Sequence, residues 1–184
     1  MRAPVPKRKA PNKGRQPVLA PAPKARIDRP EMPDSYQLCG EGAGEFLPWS
    51  WLSERLARSR NYWVATTRPD GRPHVMPVWG IWMDNVFYFS SDRDTRKARN
   101  LAANPAVVVN VESGDEAVIL EGTGQEVKDQ QLLKRFDEVY YAKYRIRPSS
   151  IPGDVGVYAL QPRLAFAWRE KDFNRSATRW RLDL

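Results

Sequence analysis

Residues 61–90 constrain the fold most. "NYWVATTR", "PHVMPVWGIWM" and "VFYFS" are aromatic and β-branched runs, separated only by "PDGR" (69–72) and "DN" (84–85). Asp-Gly is a hairpin signal, and two residues suffice to turn one strand into the next. Strands joined this tightly pair antiparallel, because a parallel crossover needs about a dozen residues. Further strand candidates are 106–112, 117–127, 155–162, 163–169 and 177–184. No internal repeat is visible. The pattern predicts a mainly β, α+β fold: an antiparallel sheet of six to eight strands, closed into a barrel to remove its exposed edges. Pro77 has no N–H, which places it at an edge, a bulge or a ligand-facing stretch.

Three helices interrupt the strands. In 47–60, Pro48 suits the first turn, and Trp51, Leu52, Leu56 and Ser59 share a face. A short helix over 95–103 is closed by Asn104 and Pro105. A charged amphipathic helix over 128–147 turns Leu132, Leu133, Phe136, Val139 and Tyr140 inward.

The 184 residues predict one domain with an appendage, and the formal charge of +8 is unevenly placed. Residues 1–30 hold nine Lys/Arg and one acid, while residues 31–184 hold 21 of each sign. The neutral remainder, 31–184, is the expected folded domain. The first 30 residues also carry seven prolines and no aromatic residue. Such a segment buries too little to offset chain entropy, so it is expected to be a disordered solubilising or anion-contacting arm. "VLAP" is too short for a signal peptide, and no stretch reaches the ~18 apolar residues of a membrane span. A single cysteine, Cys39, excludes an internal disulfide and a cysteine metal cluster. A cytoplasmic location is expected.

Protein-based catalysis has few candidates. The single histidine, His74, lies in a proline-flanked strand, and no nucleophile-elbow sequence exists for a triad. One histidine and one cysteine are too few for a metal site. The acids sit singly in turns and on helix faces, so no paired-carboxylate mechanism stands out. No catalytic residue can be named.

The start of the short helix is more informative. Thr95, Arg96 and Lys97 bring a hydroxyl, a bidentate fork and a point charge to a helix end that is already positive. With the unpaired N–H groups of a first turn, these are what a phosphate monoester requires. The plainer alternative is an exposed basic helix start with Asp92 and Asp94 as local counterions.

In order and spacing, "GRPHVMPVWGIW", "VFYFSSDRDTRKARNLAANPAVVVNV" and "EAVILEGTGQEV" resemble the pyridoxamine 5'-phosphate oxidase-like superfamily. This is the FMN-binding split-barrel group, which includes deazaflavin (coenzyme F420)-dependent reductases. The resemblance covers roughly 46–184. It implies a homodimeric split barrel with cofactor sites at the subunit interface. Thr95-Arg96-Lys97 looks like the family's phosphate clamp. The strand carrying His74, Val75, Met76, Pro77, Val78 and Trp79 looks like the one lying along the isoalloxazine ring. Ser90 and Ser91 match a strand end near the cofactor. Trp168, Arg179 and Trp180 match C-terminal strands that reach the partner's site.

The vitamin-processing oxidases of this superfamily carry an Arg near Met76, a Lys near Ile81 and a Gln near Ala117, with a C-terminal Arg/His cluster. Here all three positions are apolar and the C-terminal cluster has no histidine, which argues against pyridoxamine-phosphate oxidation. "HVMPVW" is more similar to the reductase branch. The implied activity is hydride transfer between FMN or F420 and a small organic substrate. The F420 tail is a string of glutamates that the basic arm is suited to contact. Two alternatives remain: a non-catalytic FMN/F420 carrier or sensor, and nucleic-acid contact through the arm.

Overall fold

A computed structural model describes residues 19–40 and 44–183. The expected arm falls mostly outside these residues. Its end does not: Ala25–Asp28 forms strand β1, paired antiparallel with the last strand, β9 (Thr178–Leu182). The domain thus begins earlier than residue 31. The physical reason is Asp28, buried between Arg179 (2.6 Å) and Arg181 (3.2 Å).

Among the described residues nine strands form the sheet, one more than the upper expectation. They include β2 (Tyr62–Thr67), β3 (Pro73–Val78), β4 (Gly80–Met83) and β5 (Val86–Asp92). β6 (Ala106–Val111), β7 (Glu116–Glu126) and β8 (Val155–Arg169) follow. The order is β1-β9-β8-β7-β6-β2-β3, with β5 on β8 and β4 on β5. The sheet curls without closing, as a split barrel, and β1, β3 and β4 remain edges. The split falls between β3 and β4, which are consecutive in sequence but belong to opposite arms.

Local chemistry explains most boundaries. Asp84 and Asn85 both take left-handed φ angles (54° and 60°), the signature of a tight hairpin between β4 and β5. Gly71 (φ 82°) turns β2 into β3. The runs expected as separate strands at 155–162 and 163–169 are one strand. Its register slips opposite Glu121 and Gly122, with Arg163 the extra residue. A side chain at Gly122 would run into the Gln161 carbonyl. The bulge lets β8 leave β5 and pick up β9.

Helix α1 (Trp49–Arg58) buries Trp49, Leu52, Ser53 and Leu56. Trp51, expected on that face, is half-buried under the Arg55 guanidinium, and Ser59 lies past the helix end. Helix α2 (Arg96–Ala103) packs on β2, β3 and β7, and α3 (Gln130–Tyr144) packs on β4. A short α4 (Phe173–Ser176) precedes β9. One core, with Leu52, Tyr62, Phe87, Leu120 and Trp180, fills the inside of the curl. A second, under α3, gathers Ile81, Tyr88, Phe136 and Tyr144. No described helix is long and apolar enough to cross a membrane.

Candidate functional site

β3 is an edge strand, and its two prolines fix how it faces outward. Pro73 lies opposite Thr67 and Pro77 opposite Trp63. A residue without an N–H cannot form the doubly hydrogen-bonded type of antiparallel pair, so these are the non-bonded pairs. Residues 73, 75 and 77 therefore turn their backbone polar groups away from β2. The free edge offers three carbonyls and a single N–H, that of Val75. Val75 (52%) and Met76 (43%) are among the most exposed large apolar side chains. Two members of the expected ring-facing segment differ. Val78 is buried, and Trp79 lies beyond the strand, stacked on Tyr144 (4.9 Å, 3°) with its Nε1–H donated to Asn61.

Alternation along β3 sends His74 and Met76 to the inner side, beside Thr66 and Val64. α2 covers this side. Its position is fixed by a buried hydrogen bond from Asn100 Nδ2 to Thr66 Oγ1 (2.9 Å). Thr95 precedes the helix, but its hydroxyl does not cap it. Instead that hydroxyl donates to the Asp92 carbonyl (2.8 Å) and meets Ser91 Oγ (2.8 Å). The first N–H groups of α2 are thus left without a side-chain acceptor.

Four basic groups gather here: Arg68 after β2, His74 on β3, and Arg96 and Lys97 on α2. Burial, then Arg68, Arg96 and Lys97, lower the pKa of His74. Burial alone lowers that of Lys97. His74 Nδ1 and Arg68 Nε are buried with no hydrogen-bond partner. Asp92 and Asp94 do not act as the counterions of the plainer reading. Asp92 accepts the Asp94 N–H on its carboxylate (2.8 Å), and Arg96 and Lys97 form no ion pair among the described residues. Cations without an ion-pair partner, an uncapped helix and orphaned buried nitrogens suit a phosphate group at this end and a planar ring along β3.

Other expected site residues are dispersed. Ser90 and Ser91 point to opposite faces of β5: Ser91 meets Thr95, while Ser90 faces Tyr140 of α3. Trp180 turns into the core, 1% exposed, edge-on to Trp49, so it does not present a surface to a partner. Arg179 is held by Asp28 and Glu31 (3.0 Å). Trp168 packs edge-on against Phe173. Four strands separate β9 from β3, so one chain does not bring Arg179 to α2.

Two features had no signal in the sequence. Arg68 reads as the last residue of a strand. Lys143 of α3 donates to Tyr62 Oη (2.7 Å) and the Gly80 carbonyl (3.1 Å), where the chain crosses between the two arms. Burial, then Arg60, push its pKa down to about 7. A cleft of about 410 Å³ lined by Leu133, Phe136, Pro148 and Val157 takes no residue from β3 or α2. No metal-binding group of His, Cys, Asp and Glu occurs among the described residues.

Comparison with solved structures returns the same fold. The conserved hypothetical protein Rv2991 from Mycobacterium tuberculosis is 22% identical with a TM-score of 0.59, over 67% of this chain and 85% of that one. An F420 reductase is 26% identical with a TM-score of 0.50, over 61% and 94%. A heme binding protein from Mycobacterium smegmatis is 16% identical with a TM-score of 0.56, over 66% and 55%. Comparison with curated proteins gives no match. The sequence pattern described as pyridoxamine 5'-phosphate oxidase matches residues 52–169, well over half of the chain, and on that match the chain belongs to the pyridoxamine 5'-phosphate oxidase family.

Proposed function

We propose that this protein is an oxidoreductase that holds FMN or F420 along β3, with the cofactor phosphate at the start of α2. The observation that carries this reading is the cluster of Arg68, His74, Arg96 and Lys97 beside an uncapped helix, whose arginines and lysine form no ion pair among the described residues. The family is flavin-binding, and a structural neighbour is an F420 reductase. When bound, the cofactor supplies hydride transfer to or from a small organic substrate. The chain's own residues bind and orient. Arg96 and Lys97 hold the phosphate, Thr95 and Ser91 shape the turn before it, and the outward carbonyls and N–H of β3 meet the polar edge of the ring. No side-chain acid–base pair is needed for that division of work.

The site is completed by a second copy of the chain, docked on the outer face of the sheet. From β3 to β8 that face is mostly apolar, broken by Asn110 and Glu121, and it carries Arg179 at its far end. FMN and F420 titrated separately into the cofactor-free protein, followed by fluorescence, test the reading. Tight binding of one is expected. Arg96→Ala and Lys97→Ala should each weaken it by roughly 1.5–3 kcal/mol, the scale of a charge-assisted hydrogen bond. Unchanged affinity in both variants removes the phosphate assignment.

A further inference from the structure

We propose that Arg68 and His74 complete the anion site at the start of α2, and that His74 takes up a proton when a phosphate or sulfate dianion binds there. The inference rests on the reading that this site holds the cofactor phosphate, and it adds two ligands and a pH dependence.

The geometry comes from three elements. Arg68 stands at the end of β2, His74 two strand positions from Met76 on the inner side of β3, and Arg96 and Lys97 on the first turn of α2. Arg68 Nε and His74 Nδ1 are buried without partners. Buried donors are seldom left so, because each costs a desolvation penalty of about 1–3 kcal/mol. Neutral imidazole has one donor and one acceptor nitrogen, and an acceptor nitrogen turned to an anion finds no donor there. Protonated imidazole donates from both. A dianion with several lone pairs satisfies Arg68 Nε and a protonated His74 together.

The electrostatics point the same way. His74 faces Arg68, Arg96 and Lys97, and these with burial favour its neutral form. Asp70, the acid of the β2–β3 turn, is bonded by Arg72 (2.6 Å) and also feels Arg68 and Arg96, so its field reaches the cluster, and an anion bound there adds to that field. On the sheet side of His74, the neighbours across β2 and β6 are Thr66 and Val107, which carry no charge. A dianion placed among the cations reverses the field at the imidazole and favours its charged form. Binding then takes up a proton whenever the pH lies between the midpoints of the free and bound protein. Below both midpoints His74 is charged throughout, and above both it is neutral throughout. Between them, affinity falls by up to about tenfold per unit rise in pH.

The chain has one histidine, so the imidazole resonance in a proton NMR spectrum belongs to His74. The full-length, cofactor-free protein would be titrated from roughly pH 5 to 8, with and without sodium sulfate at constant ionic strength. Sulfate is preferred because phosphate itself loses a proton near pH 6. The expected result is a His74 midpoint that moves up with sulfate, and a sulfate Kd that rises through that window. Arg68→Ala should weaken sulfate roughly tenfold or more. His74→Gln should make the sulfate Kd flat with pH. A His74 midpoint unmoved at saturating sulfate, or full affinity in Arg68→Ala, overturns the proposal. If FMN or F420 binds and depends on Arg96 while the midpoint stays fixed, only this proposal fails. If sulfate and both cofactors fail to bind, the cofactor reading fails with it.

Discussion

Lys143 enters the interior with no carboxylate within ion-pair range among the described residues; its ammonium meets a phenol and a carbonyl instead. Burial first, and Arg60 second, bring its pKa down to about 7. In the unfolded chain a lysine titrates near 10.4. Between about 7 and 10.4 the unfolded chain therefore binds more protons, so stability contributed at this position rises with pH across that window. Below about 7 the penalty is complete. Lys143→Met should thus stabilise the protein at pH 7 by on the order of 1–3 kcal/mol, less than the full shift implies because the side chain is only partly buried. The gain should fade as pH approaches 10. The groups left behind keep polar neighbours: Tyr62 Oη donates to the Ser59 carbonyl (2.9 Å), and Tyr144 Oη lies between the Gly80 (2.9 Å) and Arg60 (2.7 Å) carbonyls. Urea unfolding at pH 7 and 9.5 measures it, and a lower midpoint for the variant at pH 7 contradicts it. Sequence alone gave no warning. Position 143 continues the apolar stripe of Phe136 and Tyr140, where a lysine ordinarily lays its stem on the core and keeps its charge in water. Only the meeting with Tyr62, 81 residues away, shows otherwise.

Among the elements, α2 was the most legible and its seat the least. "DTRKARNLAANP" announces a helix start, a basic first turn and a stop. That the helix is held by Asn100 and Thr66 follows only from β2 lying beneath it. Thr66 is 3% exposed, and its hydroxyl accepts the only side-chain bond that Asn100 makes among the described residues. Thr66→Val keeps the shape but strands the amide, which should cost about 1–3 kcal/mol. It should also weaken sulfate or FMN binding, because the helix carrying Arg96 and Lys97 loses its anchor. A shifted urea midpoint with unchanged slope checks the first effect; normal stability and normal affinity together would contradict both. Strand boundaries were legible where turn chemistry is local, as at Asp84-Asn85, and illegible where pairing decides them. β8 reads as two strands because Pro162 and Arg163 interrupt its pattern, and only β7 beside it shows one strand with a bulge. β1 is four residues in a proline-rich, basic stretch. It exists because β9 presents an edge and two arginines to Asp28.

At the scale of the whole molecule, the register lines up rows of side chains across the sheet. On the outer face one row runs Pro77, Trp63, Asn110, Ile119, Phe166, Arg179 and Asp28. The next runs Val75, Ala65, Val108, Glu121, Leu164 and Arg181. The inner rows hold Val64, Val109, Leu120 and Trp180 and are sealed by the core. The outer rows are not: Trp63 is 36% exposed, and Val108, Ile119, Leu164 and Phe166 are only half-buried. An apolar strip this wide on one sheet face suits an interaction surface, and in the proposed function the same face carries the cofactor edge at one end and Arg179 at the other. A two-fold pairing of such faces sets β9 of one copy toward β3 of the other, which is how residues with four strands between them can serve one site. Trp63→Glu should therefore break the proposed dimer while leaving the core untouched, because Trp63 alternates with the buried Tyr62 and Val64. The expected sedimentation result is a dimer for the native chain and a monomer for the variant, each with the same circular dichroism spectrum. FMN or F420 affinity should fall by more than the exposed position of Trp63 alone would cause, because the partner's side of the site is gone. A native chain that sediments as a monomer and still binds cofactor tightly would place the whole site on β3 and α2 of a single copy.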